Sequence, residues 1–385
     1  MTFPAAVLPS YDERGLVGVL PRLVASLGVR LPGEPPVAPL PPARRAVVVL
    51  VDGLGWEQLR ARGGHAPFLR RALAGAAEIA EPLTAGFPST TATSMGGFGT
   101  GCGPGVHGLV AYQVRAPGAR YVFNELTWQG GPDPLEWQPR PTVFEQATAA
   151  GVHVTMVGPD HFDGSGLTTA ALRGARFVGK EELSGRVDAA LAALRAAPVD
   201  DPALLYLYWG EVDKAGHVHG CDSWQWGDEL ELLDRELARL HAALPPGTSL
   251  TITADHGMVD IPADARIDVV HDPDLRDGVH LVGGELRAPQ VYCLPGAADT
   301  VLAAWRERLA SSAWVLSREE AVAAGLFGPV LDRVLPRFGE VIVAMHAPAG
   351  VFDSRVMTPR VSGLVGQHGS LTAAEQLVPF VHLTA

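Results

Sequence analysis

The sequence predicts an α/β sandwich built on a central, mainly parallel sheet with helices on its faces. Short unbroken apolar runs rich in β-branched residues point to strands buried on both faces. Amphipathic stretches of helical length lie between them, the alternation that produces parallel crossovers. Three of the runs also lead directly into aspartates, at the carboxyl edge where open α/β sheets bind ligands.

In chain order the strands are "AVVVLV" (46–51), "VHVTMVG" (152–158), "ALLYLYWG" (203–210), "SLTITA" (249–254) and "EVIVAMH" (340–346). Between them "LSGRVDAALAALRAA" and "GDELELLDRELARLHAAL" have helical patterning. Residues 11–28 suit one or two short helices, and "LPGEPPVAPLPPARR" after them is a proline-rich connector of extended preference. Residues 1–45 therefore precede a main body at 46–385. Segments 109–145 and 261–340, rich in Gly, Pro and Trp, interrupt the plain alternation and are expected to be small cap excursions over a site.

At 385 residues with 47% hydrophobic content, the chain is long enough for a sizeable core. A formal net charge of -12 argues against a general nucleic-acid binder, whose basic patches displace counterions from phosphates. Three widely spaced cysteines, Cys102, Cys221 and Cys293, suit a reducing compartment better than a disulfide scaffold. No run approaches the roughly 18 apolar residues of a membrane span, and the N-terminus lacks a signal-peptide pattern. A soluble cytoplasmic protein is the expectation.

The chemistry collects behind the strands. Asp52 follows the first, Asp213 and His217 follow "ALLYLYWG" one helical turn apart, and Asp255-His256 follow "SLTITA". Near the C-terminus "GLVGQHGS" sets His368 among glycines, where backbone approaches closely. A mixed carboxylate and imidazole set suits zinc well and manganese less well, whereas calcium and magnesium favour oxygen ligands alone. Six ligands exceed one tetrahedral ion, and two ions about 4 Å apart form the clamp for in-line displacement at phosphorus. The hydroxyl-rich stretch "GFPSTTATSMGGFGTG" (86–101) offers a nucleophile on a helix opened by Pro88. Ser89, Thr90, Thr91, Thr93 and Ser94 all qualify chemically.

Together these residues resemble the alkaline phosphatase superfamily, and most closely its type I phosphodiesterase/nucleotide pyrophosphatase branch. "VVVLVDGLG" is similar to that family's first metal-binding strand, "EVDKAGHVHG" to its D-x-x-x-H-x-x-G element, "TADHGM" to its D-H-G-M element, and "GQHGS" to its last histidine. "FPSTTATSMGGFGTGCGPGVHGL" resembles the nucleophile segment ending in T-G-x-x-P-x-x-H-G, and counting back from Thr100 points to Thr91. Five elements in family order constrain one another far more than any single motif.

The resemblance implies a three-layer α/β/α fold and two divalent ions, zinc in the first place. One would be held by Asp213, His217 and His368, the other by Asp52, Asp255 and His256, with Thr91 completing its shell. Thr91 would attack phosphorus to give a phosphothreonine, and a second in-line attack by water would retain configuration overall. Three carboxylates against the four charges of two zinc ions leave one positive charge before Thr91 ionises, so an acidic protein attracts an anion at this point.

The family commonly carries Asn three residues after the nucleophile, where this chain has Ser94. Its hydroxyl is the candidate substitute donor to a phosphoryl oxygen, and losing such a donor costs on the order of 2–4 kcal/mol. The implied function is a phosphodiesterase or nucleotide pyrophosphatase acting on a small phosphate ester, a nucleotide among the candidates. Alternatives with the same residues are a phosphomonoesterase, a phosphonoacetate-hydrolase-like enzyme, and a metal-binding homologue without turnover. A sulfatase would need Arg where Val106 stands, and a phosphate-binding P-loop would need a Gly-Lys pair that "GGFGTGCGPG" lacks.

Overall fold

The computed structural model describes residues 3–32, 40–198 and 200–385, so residues 33–39 of the proline-rich connector lie outside the described residues. Its principal strands are β1 (Arg45–Val51), β2 (Ile79–Thr84), β3 (His153–Gly158), β4 (Arg176–Gly179), β5 (Ala203–Trp209), β6 (Thr248–Ala254), β7 (Val279–Gly284), β8 (Pro289–Cys293), β9 (Ala313–Ser317), β10 (Val341–Met345) and β11 (Leu377–Thr384). The helices that matter below are α1 (Val19–Ser26), α2 (Thr91–Thr100), α3 (Gly166–Ala171), α4 (Leu183–Ala196), α5 (Glu211–His219), α6 (Trp224–Ala243) and α7 (Ala298–Arg308).

The central sheet has seven strands in the order β2-β11-β6-β1-β5-β3-β4. From β6 to β4 every neighbouring pair is parallel, and β11 closes one side antiparallel to both β6 and β2. Every residue of β1 and β6 is buried, which is why those segments read as continuous rather than alternating apolar runs. The sheet and the helices against it enclose one large hydrophobic core.

β10 departs from expectation. Within the run at 340–346, Val341–Met345 form a fully buried strand, but it belongs to a second, four-stranded antiparallel sheet in the order β7-β8-β10-β9. A short apolar run reports burial on both faces and carries no information on which sheet buries it. The second sheet packs with α7 around its own small core, where Val291, Trp305 and Val343 are fully buried. It runs to Met345, beyond the expected limit of the 261–340 segment. Segment 109–145 forms a short hairpin, Gln113–Arg115 with Val122–Asn124, and two short helices. No helix among the described residues is long and apolar enough to cross a membrane.

Candidate metal and phosphoryl-transfer site

The register of the parallel strands levels their carboxyl ends. Val51 lies opposite Trp209 of β5 and Ala254 of β6, so Asp52 and Asp255, each one residue further on, emerge side by side. The chain leaves β5 through Gly210 into α5, whose helical repeat puts Asp213 and His217 on one face. Their facing atoms, Asp213 Oδ2 and His217 Nε2, are 3.3 Å apart. Gly53 makes this approach feasible: its φ is +71°, and a Cβ there would stand 2.8 Å from Asp213 Cβ and Oδ1. His368 arrives last, after the short strand Gly366–Gln367 has paired with Val259–Asp260.

Donor atoms of Asp213, His217 and His368 lie within 4.8 Å of one another. A second group that meets the same spacing is Asp52, Asp213 and His256. Asp213 therefore belongs to both, a sharing absent from the sequence expectation. Asp255, expected in the second set, has Oδ1 occupied by the backbone N–H groups of Gly53 and His256. Its Oδ2 is buried with no hydrogen-bond partner, 3.5 Å from His256 Nε2.

The three imidazoles share one polarity. Nδ1 of His217 faces the Gly366 carbonyl at 2.7 Å, Nδ1 of His368 the Ser89 carbonyl at 2.9 Å, and Nδ1 of His256 the Gly257 carbonyl at 3.0 Å. A carbonyl only accepts, so each Nδ1 carries the proton and each Nε2 is left with a lone pair for a ligand. The rings of His256 and His368 stack at 3.6 Å.

Electrostatically the cluster needs cations. Burial first, then the neighbouring charges of Asp255 and Asp213, raises the Asp52 carboxyl far above its usual range. Asp255 is pushed up to about 7 by burial and by Asp213. Burial and the adjacent His256 and His217 hold His368 well below an ordinary imidazole. Packed carboxylates with an orphaned buried oxygen, beside imidazoles with free lone pairs, are the donor set of a divalent metal centre. The separations support that fit, since donors about 2.0–2.2 Å from a tetrahedral ion stand roughly 3.3–3.6 Å apart.

The hydroxyl segment separates by geometry. The helix α2 opens at Thr91 with Thr90 as its N-cap, three residues after the Pro88 start expected from sequence. Ser89 Oγ donates to the Ser370 carbonyl, and Thr93 is buried. Thr91 Oγ1 stands 3.3 Å from His256 Nε2 and 3.5 Å from Asp52 Oδ1. Ser94 departs from its expected substrate-binding role: it is buried, donates at 2.8 Å to the Asp255 carbonyl, and is absent from the wall of the site cavity. Ser94 stands one turn on from Thr91, near the same side of α2, but deeper in the fold, where the Asp255 carbonyl takes its hydroxyl.

The cavity holds about 610 Å³, within the usual range for a small-molecule site. Thr91, His217 and His368 line one end. The loop 158–166 contributes His161, Phe162 and Ser165 to the wall, so it is part of the pocket rather than an ordinary surface loop. Tyr208 lines it and donates to Asp52 Oδ2. Trp209 and Trp226 are core residues, and Trp224 is exposed. Arg115, Arg120 and Arg140 are all missing from the described lining. Glu285, a residue sequence reasoning overlooked, is brought into the wall by the β7–β8 connection.

A parallel sheet whose carboxyl edge gathers aspartates and histidines beside a helix-borne threonine defines an alkaline-phosphatase-like α/β protein with a candidate divalent-metal centre. The family model for type I phosphodiesterase/nucleotide pyrophosphatase matches residues 46–371, and the chain belongs to that family, a member of the alkaline phosphatase superfamily. Among structures, murine ectonucleotide pyrophosphatase/phosphodiesterase 5, an inactive T72A form in complex with AMP, superposes with a TM-score of 0.68 at 19% identity, covering 88% of this chain and 87% of that one. Phosphonoacetate hydrolase from Sinorhizobium meliloti, in complex with phosphonoacetate, gives 0.68 at 21% identity and 92% coverage of both chains. In sequence the chain is 26% identical over 155 residues to mouse ectonucleotide pyrophosphatase/phosphodiesterase family member 7, 38% of this chain and 34% of that protein. It is 36% identical over 124 residues to a phosphopentomutase of Anaeromyxobacter dehalogenans, 31% of this chain and 28% of that protein. The chain thus spans about a third or less of the length of these curated relatives.

Proposed function

We propose that the protein is a two-metal hydrolase of phosphodiesters that acts through Thr91. The observation that carries this reading is the position of Thr91 Oγ1, at the first residue of a helix, on the cavity wall, and within 3.5 Å of both Asp52 and His256. Asp213, His217 and His368 would hold one divalent ion and Asp52, His256 and Asp255 the other, with Asp213 close to both. When bound, such ions supply Lewis-acid stabilisation of charge on the attacking and leaving oxygens. Zinc is the best match to the mixed oxygen and nitrogen donors.

The chain's own groups account for the rest. The first-turn amides of α2 have no intrahelical acceptors and are available to a phosphoryl group held at Thr91. Thr91 Oγ gives up its hydroxyl proton to solvent and forms a bond to phosphorus as the ester oxygen opposite departs with the bonding pair and takes up a proton, giving a phosphothreonine. Water then attacks phosphorus in line and returns Thr91 as the leaving oxygen, so configuration is retained after two inversions. Tyr208, by donating to Asp52, keeps that carboxylate turned toward His256.

The test is a paired assay of bis-p-nitrophenyl phosphate and p-nitrophenyl phosphate on protein loaded with zinc or manganese. Faster cleavage of the diester, lost in Thr91→Ala, supports the proposal. Preference for the monoester would move the protein to phosphomonoesterase chemistry, and full activity in Thr91→Ala would remove the nucleophile assignment.

A further inference from the structure

The cavity extends well past the metal-ligating end. It crosses the carboxyl ends of β3 and β4, the two strands beyond β5 in the sheet, and its far wall is built from Met156, Phe162, Leu167, Leu172 and Phe177. Leu172 caps α3, and Leu167 lies within it. Among the described residues that line the cavity there is no lysine and no arginine. Away from the metal-ligating residues, its one carboxylate is Glu285, 6% exposed, whose Oε1 accepts from the Tyr112 N–H while Oε2 has no hydrogen-bond partner.

This lining selects on charge. A second phosphate, or a carboxylate tail, would give up its hydration on entering the far half of the cavity and find no lysine or arginine to replace it, only the His161 imidazole and the Ser165 and Thr168 hydroxyls. An alkyl or aryl group, in contrast, exchanges water for the sulfur, aliphatic and ring surfaces of the far wall.

Resting on the phosphodiesterase reading above, we propose that one ester group of the substrate is an uncharged, apolar alcohol that lies along the Met156, Phe162, Leu172 and Phe177 wall. Nucleoside polyphosphates and carboxylated phosphonates are excluded by the same surface.

The experiment uses the zinc-loaded full chain and a series of p-nitrophenyl phosphodiesters in which p-nitrophenolate leaves. The second ester group is methyl, butyl, hexyl, a six-carbon chain ending in carboxylate, or thymidine. A buried methylene is worth up to about fourfold in kcat/KM, so the hexyl ester should exceed the methyl ester by at least about thirtyfold. The carboxylate-ended ester should fall at least about tenfold below hexyl, and the thymidine ester should also fall below it. Two variants read the wall itself. Leu126→Arg, at a rim position 39% exposed and therefore tolerant of charge, should raise the carboxylate-to-hexyl ratio at least about fivefold. Phe177→Ala should flatten the dependence on chain length. Equal rates for methyl and hexyl esters, or a carboxylate or thymidine ester faster than hexyl, would overturn the proposal. Failure to cleave any member, the methyl ester included, would remove the phosphodiesterase reading and this proposal with it.

Discussion

Thr90 and Thr91 differ by one position on the chain and both line the cavity, yet only Thr91 has its hydroxyl within 3.3–3.5 Å of a histidine and an aspartate of the metal-ligating set. Thr91→Ala should lower kcat by at least about a thousandfold with little loss of stability, and wild-type protein quenched during turnover should yield a phosphorylated Thr91 peptide by mass spectrometry. Tyr208→Phe removes the hydroxyl that donates to Asp52 and should weaken metal affinity about tenfold, measured by chelator competition. Glu125 gives a residue-scale prediction away from the site. It is fully buried, accepts from the Val110 and Ala111 N–H groups and from Trp137 Nε1, and burial pushes its carboxyl up to about 7. The native state therefore holds a proton that the unfolded chain releases near pH 4.5, so this contribution is complete below that pH and is lost as pH rises to about 7. The loss is of order 3 kcal/mol. Urea midpoints of metal-loaded protein at pH 5 and pH 8 should differ less in Glu125→Gln than in wild type.

At the scale of elements, the site depends on how closely α5 can approach the end of β1. Gly53→Ala would place a Cβ 2.8 Å from Asp213 at a φ of +71°. It should cost about 1–3 kcal/mol in urea denaturation and lower metal content even in the folded fraction. Because Asp213 belongs to both donor groups while Asp255 spends one oxygen on backbone N–H groups, the two aspartates should differ. Asp213→Ala should reduce bound metal, counted by elemental analysis, further than Asp255→Ala does. Equal losses would mean that the two centres divide their carboxylates as the family resemblance implies.

Across the whole molecule, the second sheet reaches the central one through the β7–β8 connection. There Arg287 and Glu375 form a fully buried pair, with Nε to Oε1 at 3.1 Å and a second contact at 2.7 Å. Arg287 also donates to the Met345 and Ala349 carbonyls, and Glu375 accepts from Ser370 N and Thr372 Oγ1. The rivet holds Glu285 and Leu286 in the cavity wall and steadies the turn that follows His368. Arg287→Ala strands a buried carboxylate and should cost about 3–5 kcal/mol in a thermal or urea melt.

Much of this arrangement was legible in the chain because its signals are local. A strand buried on both faces must be a continuous apolar run, as in "AVVVLV", and a carboxylate and imidazole on one helix face must be spaced as Asp213 and His217 are. The parallel sheet, its β1, β3, β5 and β6 strands, and the helices α4 and α6 follow from such patterns. What lay beyond them depends on atoms distant in sequence. The run at 340–346 announces burial but not its sheet, since periodicity is the same whichever neighbour supplies the hydrogen bonds. Ser94 has the composition of a substrate donor, yet the neighbouring Asp255 carbonyl, 161 residues away in sequence, takes its hydroxyl. Glu285 has no motif around it and enters the cavity only because a second sheet is pinned by Arg287 to Glu375. The sequence by itself determined the sheet's class and the residue types that meet at its edge, because strand pattern and helical spacing are written within single elements. Tertiary structure alone decided that Asp213 serves two donor groups and that the cavity beyond them is mostly apolar and without lysine or arginine among its described lining, because both facts arise from packing between elements.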